Sequence, residues 1–591
     1  MASLPSIGGY RGVKRASRAC QRCHARKVRC DATVTGFPCT NCQLDNYPCQ
    51  AFTGGRERRK QLSLAEIDVF LRNYFLYVHP FLPLINEAVV WRVYENPRAG
   101  DKLIPLLLFR AMIFAATCFV PTEIANRCGY DSLLDAREDL YHKAKLLYDS
   151  GLEKDRLMIS RATLLLSYYG SDFDVYANSR WLRIAITEAR VIPARHRECE
   201  CPVDEAERSE FRRIWWCCLI RDRTISLGMR RPLQITAAEC NPYPQMLTTE
   251  DMNDEMFGSL VYSYEIKAVL FVLLNSLCHL VTAVAELVTI AFSQAQHADS
   301  GREDLCTDLE KLELAKSALL LWELDWMAYI EEKNSSLHPS IPLFSSLISI
   351  YYHSARVALC NRICLVLGKV EYHKPNYLQQ LNLCESELVA AIACIADKVR
   401  RLNIIEAVDK LPISVTAYIT TPYILLTINS QSDSQKSREL RVLFAAVNRT
   451  LSLRYRLTRV LNLTSRALWL SRMFKDALGE CQGTLEHWPE SARRSVFTLP
   501  LQQYTRLLQY IDESMSIPRD SVQETELLYA VASPPQELSS HSPSSPDSSC
   551  VGEEFMPVWI EAMANFFFGP GNALTLPSCP SGEKPDEVAG P

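Results

Sequence analysis

Six cysteines near the N-terminus constrain this 591-residue chain more than any other feature. They form two triplets of identical internal spacing, and each member of the second lies 19 residues after its counterpart: Cys20, Cys23 and Cys30, then Cys39, Cys42 and Cys49. Cysteine is only 22 of the 591 residues, so chance does not account for such a repeat. The spacing indicates that the six thiols act together at one site rather than independently.

Counting ligands predicts how the six thiols are used. A structural zinc ion takes four ligands in a tetrahedron, and thiolates suit it. Six cysteines are more than the four ligands that one such site needs and fewer than the eight that two separate sites need. We therefore expect two zinc ions and two sulfurs that each bind both metals. The repeat nominates its leading members, Cys20 and Cys39, as these bridges. The remaining ligands are then Cys23 and Cys30 for one zinc, and Cys42 and Cys49 for the other.

Two other uses of the cysteines remain open from the residues alone. Disulfides would need an oxidising compartment, and no feature of the sequence directs the chain to one. A single four-cysteine zinc site with two spare thiols would leave the repeat unexplained. Both alternatives account for less of the pattern than two zinc ions do.

The charge is unevenly distributed along the chain, with a basic N-terminal segment and an acidic remainder. Residues 1–60 carry 12 Lys and Arg against 3 Asp and Glu, a formal charge of +9, whereas the remainder carries 52 against 65, or −13. A basic segment of this kind suits the phosphates of DNA. A solvated charged face without a ligand is the alternative.

The stretch from Cys20 to Cys49 resembles the fungal Zn2Cys6 binuclear-cluster DNA-binding domain and matches its motif at every cysteine. The resemblance implies a first short helix that enters the major groove and recognises CGG-like triplets. The basic pair that the family carries before its third cysteine falls on Arg26 and Lys27. Lys27 is the expected base-contacting residue, donating to guanine O6 and N7.

Other residues around the cluster are expected to contact phosphates, which position the protein without specifying a sequence. These are Arg22, Arg29 and Arg18. Many family members carry Arg directly after the second cysteine, where this chain has His24. Imidazole is mostly neutral near pH 7, so we expect a weaker phosphate contact there.

The rest of the chain is predicted to be mainly all-α. Long segments with apolar residues at three- and four-residue spacing run from about residue 63 to 530, and hydrophobic residues make up 48% of the sequence. Residues 74–84, 181–190 and 212–235 resemble parts of the fungal-specific transcription factor domain. Within 212–235 we expect Arg212, Arg213, Arg221, Asp222 and Arg223 to form structural ion pairs, and His79 to be a structural histidine.

The predicted domains follow from these patterns. They are a disordered basic N-terminus (1–19), the zinc module (20–50), a basic linker (51–62), the helical regulatory domain (63–530) and a Ser/Pro-rich tail (531–591). The uncharged run 268–285 is interpreted as a buried core helix rather than a membrane span.

The tail contains an acidic and aromatic island around Trp559 and Phe566–Phe568. It is interpreted either as an activation segment that folds onto a coactivator or as a short helix docked on the body. A reporter assay on a chain truncated at residue 550 separates these two alternatives, since only the first predicts a loss of activation.

Together these features, with the resemblance, imply a zinc-dependent, sequence-specific regulator of RNA polymerase II genes, controlling a metabolic or secondary-metabolite gene set. The implied partners are double-stranded DNA with CGG-like half-sites, coactivators, a small-molecule effector and a second copy bound through the helical domain. Arg11, Lys14 and Arg15 precede any apolar run, so we expect no signal peptide and a nuclear location. No catalytic motif was found, so we expect no enzyme. The alternative is an interaction scaffold or a metal or ligand sensor without sequence-specific DNA binding.

Overall fold

The structure is a computed structural model. It describes residues 19–20, 22–23, 26–36, 38–45, 47–49, 62–95, 104–171, 174–198, 204–236, 245–292, 302–369, 377–429, 435–480, 495–496, 499–517 and 521–532. Residues 1–18 of the predicted N-terminus, residues 51–61 of the predicted linker and residues 533–591 of the predicted tail therefore lie outside the described residues. By its internal contacts the chain divides into two compact units, residues 1–70 with 120–136, and residues 71–119 with 137–591.

Almost all regular structure in the described residues is α-helical, which confirms the predicted fold class. The first helices are α1 (Ala32–Thr35), α2 (Thr40–Leu44), α3 (Leu64–Tyr77), α4 (Glu87–Glu95), α5 (Leu106–Ala116), α6 (Thr122–Arg127), α7 (Leu133–Asp149), α8 (Arg156–Leu166), α9 (Ala177–Glu198), α10 (Glu205–Met229) and α11 (Asn253–Phe257). The later helices are α12 (Tyr264–Ala283), α13 (Ala285–Phe292), α14 (Arg302–Lys333), α15 (Ser340–Leu367), α16 (Tyr377–Ile404), α17 (Ser414–Asn429), α18 (Gln435–Ser452), α19 (Thr458–Glu480), α20 (Leu501–Ser516) and α21 (Ser521–Ala532). Short 3-10 helices cover Thr117–Phe119, Thr249–Met252 and Val408–Lys410.

The strands in the described residues form one antiparallel pair. Strand β1 (Ser495–Val496) pairs with β2 (Leu499–Pro500), with Val496 opposite Leu499. The pair directly precedes α20 and is too short to form a sheet with its own core.

Ser63 and Glu66 form a capping box at the start of α3. The Ser63 backbone N–H donates to the Glu66 carboxylate at 2.8 Å, and the Ser63 hydroxyl donates to it at 2.6 Å. The hydroxyl bond, followed by the backbone bond, lowers the pKa of Glu66. The helix therefore begins where its first free N–H groups find side-chain partners.

Helix α10 is the central helix of the larger unit. It packs against α8, α9, α12, α13, α15, α17 and α20. The carboxylate of Asp204 accepts from the Glu207 backbone N–H at 2.7 Å and caps the first turn. The helix ends at Arg230, which has left-handed backbone geometry (φ 52°), and a proline follows two residues later.

Helix α12 contains residues 268–283 of the uncharged run 268–285, which the sequence raised as a membrane candidate. It is long and apolar enough to span a bilayer by length and composition, yet 56% of its most apolar window is buried inside the protein. Leu273, Leu277 and Cys278 are fully buried where α12 packs against α10, α14 and α15. These contacts agree with the predicted core helix.

Helix α17 lies within the region predicted to be helical, but its sequence has no apolar stripe on one side. Its apolar residues occur on all sides, because other elements surround it, and Pro422 lies inside it. A helix buried on every side shows no one-sided apolar stripe, which is the signal that periodicity detects.

Candidate metal centre and nucleic-acid interface

The six predicted zinc ligands lie together as two overlapping groups of four thiols. In each group the four Sγ atoms are within 4.8 Å of one another. The first group is Cys20, Cys23, Cys30 and Cys39, and the second is Cys20, Cys39, Cys42 and Cys49. The two groups share Cys20 and Cys39, whose Sγ atoms are 3.7 Å apart.

The sulfur spacing fits tetrahedral zinc. With Zn–S bonds of about 2.3 Å, neighbouring sulfurs in a tetrahedron are about 3.8 Å apart. The Sγ atom of Cys20 lies 3.5 Å from that of Cys42, and the Sγ atom of Cys23 lies 3.6 Å from that of Cys39. A donor set of thiolates alone favours zinc over hard cations such as Mg²⁺ or Ca²⁺.

The thiols differ in their surroundings. Burial raises the pKa of Cys23 to about 12, and it also raises the pKa of Cys42 and Cys49. Burial acts in the same direction on Cys20 and Cys39, but hydrogen bonds from the backbone N–H groups of Cys23 and Cys42 and from neighbouring thiols outweigh it, so their pKa is lowered. The two sulfurs common to both groups therefore differ from those of Cys23, Cys42 and Cys49 in the direction of their pKa shift.

The 19-residue repeat of the sequence is also a repeat of hydrogen bonds. The Cys20 backbone N–H donates to Cys30 Sγ at 3.2 Å, and its counterpart Cys39 donates to Cys49 Sγ at the same distance. One turn is closed by Val28 N–H donating to Cys23 O at 3.0 Å. The equivalent turn is closed by Tyr47 N–H donating to Cys42 O, also at 3.0 Å. The two halves of the module therefore fold alike around one centre.

Polar contacts join these two halves. The Asp31 carboxylate accepts from both the backbone N–H and the hydroxyl of Thr40 at the start of α2, and the hydroxyl bond, followed by the backbone bond, lowers the pKa of Asp31. The Asn41 amide donates to the carbonyl of Arg29 at 2.7 Å. Among the described residues of the module, the buried core contains only alanine side chains apart from the cysteines. A core this small cannot hold the module together without the metal.

Lys27 and Arg29 lie on the surface of the module. Both side chains are exposed, and within the described residues neither has an ion-pair partner. Lys27 has left-handed backbone geometry (φ 56°) and ends the turn that the Val28 N–H closes. The side chain predicted to contact bases is thus unpaired at the end of a short helical turn.

Arg22 and Arg26 differ from Lys27 in that both pair with Asp45. An Arg26 guanidinium N–H donates to the Asp45 carboxylate at 2.6 Å, and Arg22 lies 3.1 Å from the same oxygen. Arg22 also stacks on the ring of Tyr47, 4.0 Å from its centroid. Arg18 and His24, the other two predicted DNA contacts, lie outside the described residues.

A third group of potential metal ligands lies in the larger unit and consists of His79, Glu87 and Glu255. The Glu255 carboxylate contacts Arg213 at 2.5 Å and His79 at 2.7 Å, and Lys267 contacts Glu87 at 2.6 Å. These five side chains, which we call the buried ionic cluster, are all less than a tenth exposed. Arg213 and Lys267 already supply the positive charge that a cation would bring, so the group is an ion-pair network.

Among the residues predicted to form structural ion pairs, Arg212, Arg213 and the Asp222–Arg223 pair do so, whereas the prediction is wrong for Arg221 within the described residues. Arg212 Nε lies 3.1 Å from both carboxylate oxygens of Asp251. Asp222 pairs with Arg223 at 2.8 Å and also accepts a backbone N–H from Ile235 at 3.1 Å. Arg221 instead donates to the carbonyl and the hydroxyl of Ser167. The contacts of Arg212 with Asp251 and of Asp222 with Ile235 join helix α10 to the segment that follows it.

Sequence reasoning missed Asp45, Tyr47 and the acidic members of the buried ionic cluster. Asp45 lies 19 residues after Arg26, so the repeat that located the cysteines also places these opposite charges at equivalent positions. That signal could have revealed the ion pair. Glu87 and Glu255 are 168 residues apart and hydrogen-bond through the Glu87 backbone N–H, for which the sequence contains no local signal.

Comparison with known proteins agrees with this geometry. Residues 18–59 match the fungal Zn(2)-Cys(6) binuclear cluster domain, and residues 71–324 match the fungal specific transcription factor domain. The first of these domains binds two zinc ions through six cysteines. No solved structure matches the chain.

Several curated fungal regulators are similar to part of the chain. Cutinase transcription factor 1 beta of Fusarium vanettenii is 34% identical over 28% of this chain and 19% of its own length. The transcription factor cpaR of Aspergillus oryzae is 32% identical over 30% of each chain. A fusaric acid cluster transcription factor of Gibberella fujikuroi is 29% identical over 26% of this chain and 22% of its own length. The chain thus spans less than a third of the length of these relatives.

Proposed function

We propose that this chain, which belongs to the fungal Zn2Cys6 transcription factors, is a nuclear, zinc-dependent regulator that recognises CGG-like triplets in the major groove. The observation that carries the proposal is the pair of overlapping thiol groups beside exposed basic side chains. We infer that Cys20 and Cys39 each bind both zinc ions. Cys23 and Cys30 complete one site, and Cys42 and Cys49 complete the other.

The chemistry of the module follows from this arrangement. Two zinc ions bound by six thiolates supply the folding free energy that the small core lacks. With zinc bound, Cys23 and Cys30 would hold the short turn that ends at Lys27, so that the Lys27 ammonium group could donate to guanine O6 and N7. Arg29 contacts a neighbouring phosphate, and Arg18 and His24 add flanking contacts.

Replacing Lys27 with alanine tests the assignment of the base contact. We expect about 1–3 kcal/mol less binding to a CGG-containing duplex and little change on a scrambled one, because only the base contact is lost. Alanine meets the same backbone constraint at φ 56°, so the fold and two zinc ions per chain should remain. Fluorescence anisotropy on both duplexes measures the effect.

Arg29→Ala is the matched control for Lys27→Ala. It removes one exposed cation from the same surface but is expected to weaken both duplexes equally, because a phosphate contact carries no sequence information. If Lys27→Ala also weakened both duplexes equally, Lys27 would be a phosphate contact and the base-contacting residue would have to be sought elsewhere.

The helical unit is proposed to regulate this DNA binding. The finer parts of the proposal are control of RNA polymerase II genes of metabolism or secondary metabolism, a small-molecule effector, a coactivator and a homodimer formed through the helical domain. The names of the relatives, which mention cutinase and fusaric acid clusters, support a metabolic gene set. Sedimentation equilibrium of the full chain tests the dimer, since a monomer at every concentration would exclude it.

A further inference from the structure

We propose that Asp45 is a positioning residue for DNA binding. Its carboxylate pairs with Arg22 and Arg26 and thereby limits the attraction that the zinc module has for any DNA sequence. The inference rests on the proposed function, because it concerns the same DNA-binding surface. As a consequence, the base contact of Lys27 contributes a larger share of the DNA-binding free energy than the positive charge of residues 1–60 suggests.

The geometry shows one carboxylate oxygen shared by two guanidinium groups. Asp45 Oδ2 lies 2.6 Å from an Arg26 nitrogen and 3.1 Å from an Arg22 nitrogen. Bonds between a charged donor and a charged acceptor are the stronger class of hydrogen bond. Asp45 and Arg26 occupy equivalent places in the 19-residue repeat, so their ion pair joins the two halves of the module.

Arg22 is restrained from a second side. Its guanidinium lies over the Tyr47 ring at 4.0 Å, and its side chain is 26% exposed, compared with 53% for Arg26. Cation–π contact and ion pairing act on the same group, so displacing it would break both. Arg26 is held by the carboxylate and remains open to solvent on its other side.

This arrangement affects phosphate binding in two ways. An arginine that takes a phosphate must leave the carboxylate, and the freed carboxylate then repels the DNA backbone. Four basic side chains lie between Cys20 and Cys30, and they are Arg22, Arg26, Lys27 and Arg29. Two of them are paired with Asp45, which leaves Lys27 and Arg29 as the cations ready for DNA.

Asp45→Asn in the full chain tests the inference. Asparagine keeps the size of the side chain but removes its charge, so Arg26 and Arg22 become free to contact phosphates. We expect the slope of log affinity against log salt concentration to steepen by about 1–2, since each new phosphate contact adds about 0.9. Affinity for CGG-containing and scrambled duplexes should rise by a similar factor, about 3- to 10-fold per contact near 0.1 M salt.

Three further variants separate this effect from simple gain of charge. Glu57→Gln adds the same increment of charge in residues 1–60 and should change the slope by less than half as much. Asp45→Glu should retain the wild-type slope because it keeps the carboxylate. Adding Arg22→Gln and Arg26→Gln to Asp45→Asn should remove most of the gain, which a merely structural role of Asp45 does not predict.

The outcomes distinguish this inference from the function on which it rests. Equal changes in Asp45→Asn and Glu57→Gln, or a gain that persists without both Arg22 and Arg26, would overturn the role of Asp45. The same follows if Asp45→Glu behaves like Asp45→Asn while each variant keeps two zinc ions per chain. A wild-type chain that does not distinguish the two duplexes would instead overturn the proposed function.

Discussion

Replacing Cys20 with alanine should remove both zinc ions from the chain and abolish its DNA binding, whereas replacing Cys49 should remove only one. Cys20 belongs to both thiol groups, so its loss leaves each zinc with three ligands. Cys49 belongs to one group and is only partly buried. Structural zinc contributes about 10 kcal/mol or more to the folding of small modules, so losing both ions should unfold this one.

Zinc content per purified chain is the measurement, with DNA binding as the second readout. Cys39→Ala should match Cys20→Ala because Cys39 is the other shared sulfur. Cys394→Ala provides the matched control, since it removes a thiol from helix α16 and should retain two zinc ions. If Cys20→Ala and Cys49→Ala lost equal amounts of zinc, Cys20 would not be a bridging ligand.

Replacing Glu255 with glutamine should destabilise the helical unit by about 3–5 kcal/mol. The Glu255 carboxylate is fully buried between Arg213, His79 and Lys267, so its neutralisation leaves buried positive charge without a partner. Burial alone would raise the pKa of Glu255, but the charges of Arg213, His79 and Lys267 outweigh it and lower the pKa. The stabilisation is therefore complete above the unfolded-state pKa of about 4.3 and declines only as the pH falls towards the lower folded value.

Urea unfolding followed by tryptophan fluorescence measures this effect. None of the nine tryptophans precedes Trp91, so the signal reports on the region beyond the zinc module. Glu332→Gln is the matched control, because the Glu332 side chain is 69% exposed in its pair with Lys333. An exposed pair of this kind contributes about 0–1 kcal/mol. An unchanged unfolding midpoint for Glu255→Gln would show that the buried ionic cluster does not stabilise the unit.

The features that could be predicted are those determined by residues close together in the sequence. The cysteine spacing specified a two-metal module because tetrahedral coordination leaves few ways to use six thiols. The capping pair of Ser63 and Glu66 is likewise local, since its members are three residues apart and form the expected hydrogen bonds. Helices with one apolar face were found for the same reason.

The features that escaped prediction depend on long-range contacts. His79 and Arg213 were recognised as structural residues, but their common partner Glu255 is 176 residues from His79 and carries no local signal. Arg22 and Arg26 were grouped with the DNA contacts because their positive charge is visible in the sequence, whereas their pairing with Asp45 requires the folded module. Local patterns thus identified the chemistry of the site but not which of its charges are already paired.

The central claim is that zinc folds a module that distinguishes DNA sequences. Fluorescence anisotropy of the full chain on a CGG-containing duplex and on a scrambled duplex of equal composition tests it, across salt concentrations and with or without a zinc chelator. We predict tighter binding to the CGG-containing duplex, loss of that preference with the chelator and its return when zinc is added. Equal and steeply salt-dependent binding to both duplexes, unaffected by the chelator, would show that the basic segment supplies only phosphate attraction and would contradict the claim.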